Sequence, residues 1–137
     1  MSKKLIIFTD GGARNNPGPA GVGVVIKNEA GENIATVSKY IGHGTNNQAE
    51  YTAVIEALKK VKDLGASELN FFLDSELVVK QLNREYKVKD RDLALLFLQI
   101  YNLSLDYKKI TFTHVRREKN AEADALVNEA IDKALAK

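Results

Sequence analysis

The sequence predicts an α/β fold with a mixed five-stranded sheet, in which three antiparallel strands are followed by two parallel ones and helices cover both faces. Three β-rich segments separated by turn residues come first. Helical and β-rich segments then alternate, an order that produces parallel strands joined by helices. The 137 residues are 45% hydrophobic, which is enough for one packed core. We therefore predict a single domain over residues 1–137.

The predicted strands of the antiparallel part are short. An apolar strand at residues 4–9 is followed by turn-forming residues at 10–12 and 15–19, so we expect a loop directly after the first strand. Residues 21–27 and 34–40 are rich in β-formers, and a polar segment separates them. This arrangement predicts a meander in which neighbouring strands pair antiparallel.

Apolar residues at helical spacing predict a long helix over residues 46–64. Thr45 and Gln48 form a capping box at its start, and Gly65 lies where the helix should end. Beyond it the sequence predicts a fourth strand at residues 68–73, a short helix at 75–82, a leucine-rich helix at 90–103, a fifth strand at 109–115 and a final helix capped by Asn120.

The composition excludes several classes of function. The chain has no cysteine, so disulfides, thiolate zinc sites and cysteine nucleophiles are ruled out. The glycine-rich segment lacks the lysine or glycine spacing of nucleotide-binding loops. All apolar runs are far shorter than the roughly 18 residues that a membrane span needs, and we expect no signal peptide at the start of the chain. We therefore expect a soluble cytoplasmic protein without a membrane partner.

Four acidic residues stand at positions where a sheet edge brings segments together. Asp10 and Asp74 follow the first and fourth predicted strands, while Glu50 and Asp124 lie near the starts of helices. Each alone could be a turn or cap residue. Together, four like charges would repel and raise one another's pKa unless cations neutralise them. Oxygen ligands without histidine or cysteine select Mg²⁺ or Mn²⁺, and a phosphodiester site with two metal ions needs such a cluster.

Four motifs carry a family resemblance over nearly the whole chain. They are Phe-Thr-Asp-Gly-Gly at residues 8–12 with Asn-Pro-Gly-Pro-Ala-Gly at 16–21, Thr-Asn-Asn-Gln-Ala-Glu at 45–50, Leu-Asp-Ser at 73–75, and Arg116 with Asn120 and Ala-Asp-Ala-Leu at 123–126. In this order they resemble type 1 ribonuclease H (ribonuclease HI). The resemblance implies a ribonuclease H-like fold, which agrees with the mixed sheet inferred above.

The resemblance also implies an activity and a division of roles among the carboxylates. The protein would be an endonuclease that hydrolyses the RNA strand of RNA/DNA hybrids and leaves 5′-phosphate and 3′-hydroxyl ends. Two Mg²⁺ ions would serve as cofactors, with Mn²⁺ as a substitute. By similarity, Asp10 would bridge both ions and Asp124 would complete the ion beside the attacking water. Glu50 and Asp74 would hold the second ion, next to the leaving oxygen.

A second set of residues resembles the family's substrate contacts. Reading of the minor groove, where 2′-hydroxyls distinguish RNA from DNA, would use asparagine and glutamine side chains. Thr45 resembles the contact to a phosphate of the DNA strand. The alternative is that all of these are turn and cap residues. The set is Asn15, Asn16, Thr45, Asn46, Asn47 and Gln48.

The chain departs from the family pattern in two places. Many relatives carry a histidine in the loop before the last carboxylate, whereas this loop is short and contains Arg117, Glu118 and Lys119. We interpret His114 as a strand residue and expect one of the three loop residues to substitute in part. Some relatives also carry a tryptophan-rich basic protrusion. This chain has no tryptophan, and its weaker substitutes for phosphate contacts would be Lys80, Arg84, Lys87 and Lys89.

Three other functions remain open from the residues. Double-stranded RNA is a second candidate substrate, since it shares the A-like shape and 2′-hydroxyls of a hybrid. A module that binds hybrids without cutting them is a second possibility, although the four carboxylates argue against it. A recombinase or junction nuclease of the same fold superfamily is a third. The net charge of +2 does not itself indicate a nucleic-acid partner. We expect a monomer.

Overall fold

The computed structural model describes residues 3–136 and confirms the mixed five-stranded sheet. Its elements are β1 (Lys4–Ala13), β2 (Gly18–Lys27), β3 (Asn33–Gly44), α1 (Asn46–Val61), β4 (Glu68–Leu73), α2 (Glu76–Leu82), α3 (Arg91–Ser104), β5 (Lys109–His114), a 3₁₀ turn (Arg117–Asn120) and α4 (Ala121–Leu135). The strand order is β3-β2-β1-β4-β5. β1, β2 and β3 pair antiparallel, whereas β4 and β5 run parallel to β1.

Helices cover both faces of the sheet, as predicted. On one face, Val24 and Ile26 of β2 belong to the main core together with the buried residues of α1, α2 and α3. On the other face, α4 packs closely on β2. A Cβ atom built on Gly23 would lie 2.1 Å from the carbonyl oxygen of Ala123. Glycine at this position therefore allows α4 to approach the sheet.

The first strand is longer than the sequence indicated, and the expected loop after Thr9 is wrong. β1 continues to Ala13, because Asp10, Gly11, Gly12 and Ala13 all pair with residues of β2. Of the two glycines, Gly11 is needed for space rather than for a turn. A Cβ atom on Gly11 would lie 2.2 Å from the carbonyl carbon of Ala49, so the absent side chain lets α1 lie against β1.

The helix ends agree with the sequence in part. The capping box is present, since Thr45 Oγ1 accepts from the Gln48 N–H at 3.1 Å and Gln48 Oε1 accepts from the Thr45 N–H at 2.9 Å. α1 stops at Val61 rather than at residue 64, and a turn leads to Gly65, whose φ is +75°. Asn120 stands at the N-cap position of α4, as predicted, but its side chain makes no capping hydrogen bond.

In the part of the chain that the structure describes, no helix is both long and apolar enough to span a bilayer.

Candidate active site

The four predicted carboxylates line one pocket. The pocket has a volume of about 540 Å³ and lies where β1 passes beyond the end of β4. The parallel pairing between these strands stops at Phe8, so Asp10 stands in β1 without a partner on that side. Asp74 directly follows β4, Glu50 comes from α1 and Asp124 from α4. The topology thus delivers one carboxylate from each of four separate segments.

Three of these carboxylates form a tight group. Oxygen atoms of Asp10, Glu50 and Asp74 lie within 4.8 Å of one another, a separation at which one cation could contact all three. Asp124 lies outside this group of three but lines the same pocket, close enough to Asp10 to affect the pKa of its carboxyl group. The structure therefore brings all four together, with Asp10 as the shared member.

Burial and mutual repulsion perturb the two most enclosed acids. Asp10 is only 7% exposed, and burial, the charge of Asp74 and the neighbouring carboxyl group of Asp124 raise its pKa to about 7. Glu50 is 5% exposed, and burial together with the charges of Asp10 and Asp74 holds its pKa well above the usual range. Such shifts show that the protein alone does not stabilise these carboxylates in their charged form. A bound cation would stabilise the charged form.

The backbone of β1 positions Glu50. The N–H of Gly11 donates to Glu50 Oε1 at 2.7 Å and to Asp10 Oδ1 at 3.0 Å. One donor therefore joins the carboxylates of β1 and α1. This contact depends on the close approach of α1, which the missing side chain of Gly11 permits.

Asn120 positions Asp74, a role that sequence reasoning missed. Its side chain is 1% exposed, and Nδ2 donates to the carbonyl oxygen of Thr9 at 2.8 Å and to Asp74 Oδ2 at 3.3 Å. The residue thus links the carboxylate after β4 to the strand that carries Asp10. Asn120 belongs to one of the sequence motifs, but the sequence predicts only that it caps a helix.

The predicted substrate contacts gather at a second pocket, of about 490 Å³. It is lined by Asn16, Thr45, Asn46, Asn47 and Gln48, with Asp90, Asp92 and Leu93 from the start of α3. Asn46 and Asn47 also line the acidic pocket, so the two pockets are neighbours.

Asparagine side chains fasten the turn after β1 to the start of α1. Asn16 Oδ1 accepts from the Asn46 N–H at 2.9 Å, and Asn46 Oδ1 accepts from the Ala13 N–H at 2.7 Å. Asn15 lies in this turn in the left-handed conformation, with φ of 64°, and belongs to the lining of neither pocket.

Two arginines line the acidic pocket. Of the three residues in the short loop, Arg117 lines the acidic pocket, whereas Glu118 and Lys119 do not. His114, at the end of β5, is also outside it. Arg14, which sequence reasoning did not single out, forms a 2.6 Å ion pair with Asp132 of α4. The sequence feature that could have indicated Arg14 is its position just beyond the glycines of β1.

The predicted basic cluster surrounds the connector between α2 and α3. Lys80 Nζ lies 5.1 Å from the ring centroid of Tyr86, and the Arg84 guanidinium lies 5.1 Å from that of Tyr101. Arg84 and Lys87 line an open surface pocket, which leaves their charges accessible. The cluster is separate from the acidic pocket.

Comparison with known proteins places this arrangement in a family. A family described as Reverse transcriptase-like matches residues 8–130. The solved structure of RNase H1 from the archaeon Halobacterium salinarum is 40% identical, with a TM-score of 0.92 over 95% of this chain and 98% of that one. The chain belongs to the ribonuclease H family. The resemblance noted in the motifs is thereby confirmed.

Two further ribonuclease H relatives bear on the site. LC11-RNase H1, solved in complex with an RNA/DNA hybrid, is 49% identical, with a TM-score of 0.93 over 96% of this chain and 99% of that one. The Bifunctional protein Rv2228c of Mycobacterium tuberculosis is 42% identical over 96% of this chain. The chain spans 36% of the length of that protein, and so matches only one part of it.

Proposed function

We propose that this protein is a metal-dependent endonuclease that hydrolyses the RNA strand of RNA/DNA hybrids and leaves 5′-phosphate and 3′-hydroxyl ends. The main support for the proposal is that carboxylate oxygens of Asp10, Glu50 and Asp74 lie within 4.8 Å of one another, with Asp124 beside them. Membership of the ribonuclease H family and the hybrid bound to LC11-RNase H1 support the choice of substrate. The cytoplasm is the proposed place of action, since hybrids form where DNA is copied and transcribed.

The donor set fits hard divalent cations. It consists of carboxylate oxygens alone, and the raised pKa values of Asp10 and Glu50 show that negative charge there lacks compensation. Asp10, Glu50 and Asp74 would hold one Mg²⁺, and Asp10 with Asp124 a second, with Mn²⁺ as a substitute. When bound, such ions lower the pKa of a ligated water and offset charge that develops on the phosphate.

The chain's own residues would orient and complete the site. Gly11 fixes Glu50 through its N–H, and Asn120 fixes Asp74 through its side-chain amide. Arg117 would contact an oxygen of the phosphate that is cut. Because a guanidinium stays protonated in proteins, it would act by charge and hydrogen bonding rather than as a base.

The cap residues of α1 can also serve the substrate. The Thr45 hydroxyl accepts from the Gln48 N–H, so its own proton remains available for a phosphate oxygen of the DNA strand. Gln48 uses its oxygen for the cap, which leaves the NH₂ group as a donor. Capping and substrate binding are therefore compatible roles rather than alternatives.

The asparagines beside the cap would complete recognition of the substrate. Asn46 and Asn47 line both pockets, which suits a duplex that extends from the acidic site across the start of α1. Together with Asn16 and Asn15 of the turn, they would read 2′-hydroxyls and base edges in the minor groove. The 2′-hydroxyls would distinguish the RNA strand from the DNA strand.

A comparison of three duplexes tests the proposal. With Mg²⁺ present, we expect the wild type to cut the RNA strand of RNA/DNA and to leave DNA/DNA intact. The Asp10→Asn variant should fold but lose activity by several orders of magnitude, which separates cutting from binding alone. Cutting of RNA/RNA would extend the substrate range to double-stranded RNA. An RNA/DNA hybrid left intact in both Mg²⁺ and Mn²⁺ would reject the proposed activity.

A further inference from the structure

The outward side of α3 is apolar and exposed to solvent. The inward side packs into the core through Leu93 and Ile100, which are 7% and 3% exposed. On the opposite side, Leu95, Leu98 and Leu105 are 63%, 54% and 65% exposed. No charged residue occurs from Leu93 to Leu105. An uncharged face with three exposed leucines is typical of a protein interaction site rather than of a solvated helix surface.

The exposed residues follow the spacing of a helix-pairing seam. Steps of four, three, four and three residues separate the members of the seam, which repeats the pattern by which two helices pack side by side. All five members are exposed. The seam extends over about 21 Å of helix. Its members are Arg91, Leu95, Leu98, Asn102 and Leu105.

We propose that this seam is a self-association surface, at which α3 of one copy packs antiparallel on α3 of a second copy about a two-fold axis near Leu98. Charge complementarity favours this occupant and this direction. An antiparallel pair brings Arg91 of one copy beside Asp106 of the other, whereas a parallel pair would place like charges together. The last turn of α3 contains no basic residue that would interact with its free carbonyl groups. Arg91 of the second copy would supply that positive charge at the C-terminal end of the helix.

The rest of the molecule is compatible with such a dimer. No member of the seam lines the acidic pocket or the neighbouring pocket at the start of α1, so pairing at this face leaves both pockets open. Between Arg91 and Asp106 the seam carries no positive charge, so it offers no group that would neutralise the phosphates of a duplex. A contact of only four helical turns is small for a stable dimer. We therefore expect a reversible dimer that dissociates on dilution, in contrast to the monomer expected from the sequence.

Sedimentation velocity over micromolar to millimolar protein tests the surface. The wild type should sediment faster as the concentration rises, and Leu98→Glu, which would place two like charges at the axis, should remain monomeric. Leu77→Glu is the matched control, because Leu77 is 43% exposed on α2 and lies outside the seam. It should behave as the wild type. A wild type that is monomeric throughout the range, or equal loss of association in both variants, would overturn the proposal.

Charge exchange tests the direction of the pairing. Arg91→Asp and Asp106→Arg should each weaken association, and the double variant should restore it, with circular dichroism to verify folding. The absence of cysteine permits a second measurement. Leu98→Cys should form a disulfide-linked dimer under mild oxidation much faster than Leu77→Cys. If the double variant fails to restore association, or if the two cysteine variants cross-link equally, antiparallel pairing at this seam is wrong. Leu98→Glu weakening hybrid binding while the wild type stays monomeric would assign the face to nucleic acid instead.

Discussion

The N–H of Gly11 donates to Glu50 Oε1 at 2.7 Å across the contact between β1 and α1. This hydrogen bond fixes the distance between the acids of two elements, because Asp10 precedes the donor in β1. The contact is possible only where β1 and α1 nearly touch. The geometry of the acidic site therefore depends on a residue that has no side chain.

Replacing Gly11 by alanine should disrupt both the fold and the site. The new Cβ would lie 2.2 Å from the backbone of Ala49, so α1 must move away from β1. We expect a loss of about 3 kcal/mol in the free energy of unfolding, at the upper end of the usual cost of overpacking. Urea denaturation measures it. Gly12→Ala is the control, since its Cβ would meet its nearest atom at 3.8 Å. Equal stability of the two variants would contradict this account.

The metal-free protein should lose stability as the pH rises from about 4 to about 7. The pKa of Asp10 is raised from 3.8 to about 7 in the folded state, and that of Glu50 is also raised. Between the unfolded and folded pKa values the native state binds more protons, so deprotonation favours unfolding. Thermal melting in EDTA measures the slope. Asp10→Asn should flatten it and raise stability at pH 8.

Mg²⁺ should reverse this dependence, because a cation replaces the protons on the same carboxylates. We expect the ion to raise the melting temperature more at pH 8 than at pH 5. The Asp10→Asn variant, which lacks the shared ligand, should show little increase at either pH. An equal increase at both pH values in the wild type would indicate that the ion binds elsewhere.

Asn120→Ala should weaken metal binding as well as folding. The substitution removes the donor to Asp74 and leaves the buried carbonyl of Thr9 without its 2.8 Å partner. We expect a stability loss of roughly 1–3 kcal/mol from the unsatisfied group, and a decrease in Mg²⁺ affinity of about tenfold or more. Calorimetric titration with Mg²⁺ measures the affinity. Asn83→Ala is the control, because it removes an exposed amide that donates to the main chain of Phe112, outside the acidic pocket, and should leave the Mg²⁺ affinity nearly unchanged.

The sequence predicted the elements well because helix and strand patterns are local. It failed at residues 10–13, where the glycines resemble a turn but belong to β1. A strand continues wherever a partner strand runs beside it, and β2 supplies that partner through residues 20–23. Local composition does not reveal this pairing, and the reason for glycine at position 11 is its contact with Ala49 of α1, which is distant along the chain.

The meeting of the carboxylates was predictable, but their supports were not. Asp10 and Asp74 each follow an apolar run, and the parallel pairing of β1 with β4 sets Phe8 beside Phe72, so the two acids converge two residues farther along each segment. The bond from Asn120 to Asp74 and the ion pair of Arg14 with Asp132 join distant segments. Neither appears in a spacing rule, because each depends on how α4 lies against the sheet.

Arg117→Ala should lower turnover more than substrate binding. Arg117 lines the acidic pocket and would contact the phosphate most strongly when charge develops on it. We expect kcat to fall by about tenfold or more with KM changed less, since a contact made mainly in the transition state affects kcat. Arg117→Lys should restore part of the rate. Glu118→Ala and Lys119→Ala should match the wild type because both residues are outside the lining. Steady-state kinetics with wild-type turnover for Arg117→Ala would remove the assignment.

Hybrid binding should depend on salt through the connector between α2 and α3. Each phosphate contact made by Lys80, Arg84, Lys87 or Lys89 should contribute about 0.9 to the slope of log affinity against log salt. Replacing all four by glutamine should therefore flatten that slope, whereas charge lost far from the substrate should not change it. Lys133→Gln is the control, because Lys133 pairs with Glu129 at 3.0 Å on α4. Fluorescence anisotropy in Ca²⁺ with a labelled hybrid would give both slopes. An unchanged slope in the fourfold variant would show that the duplex does not reach this connector.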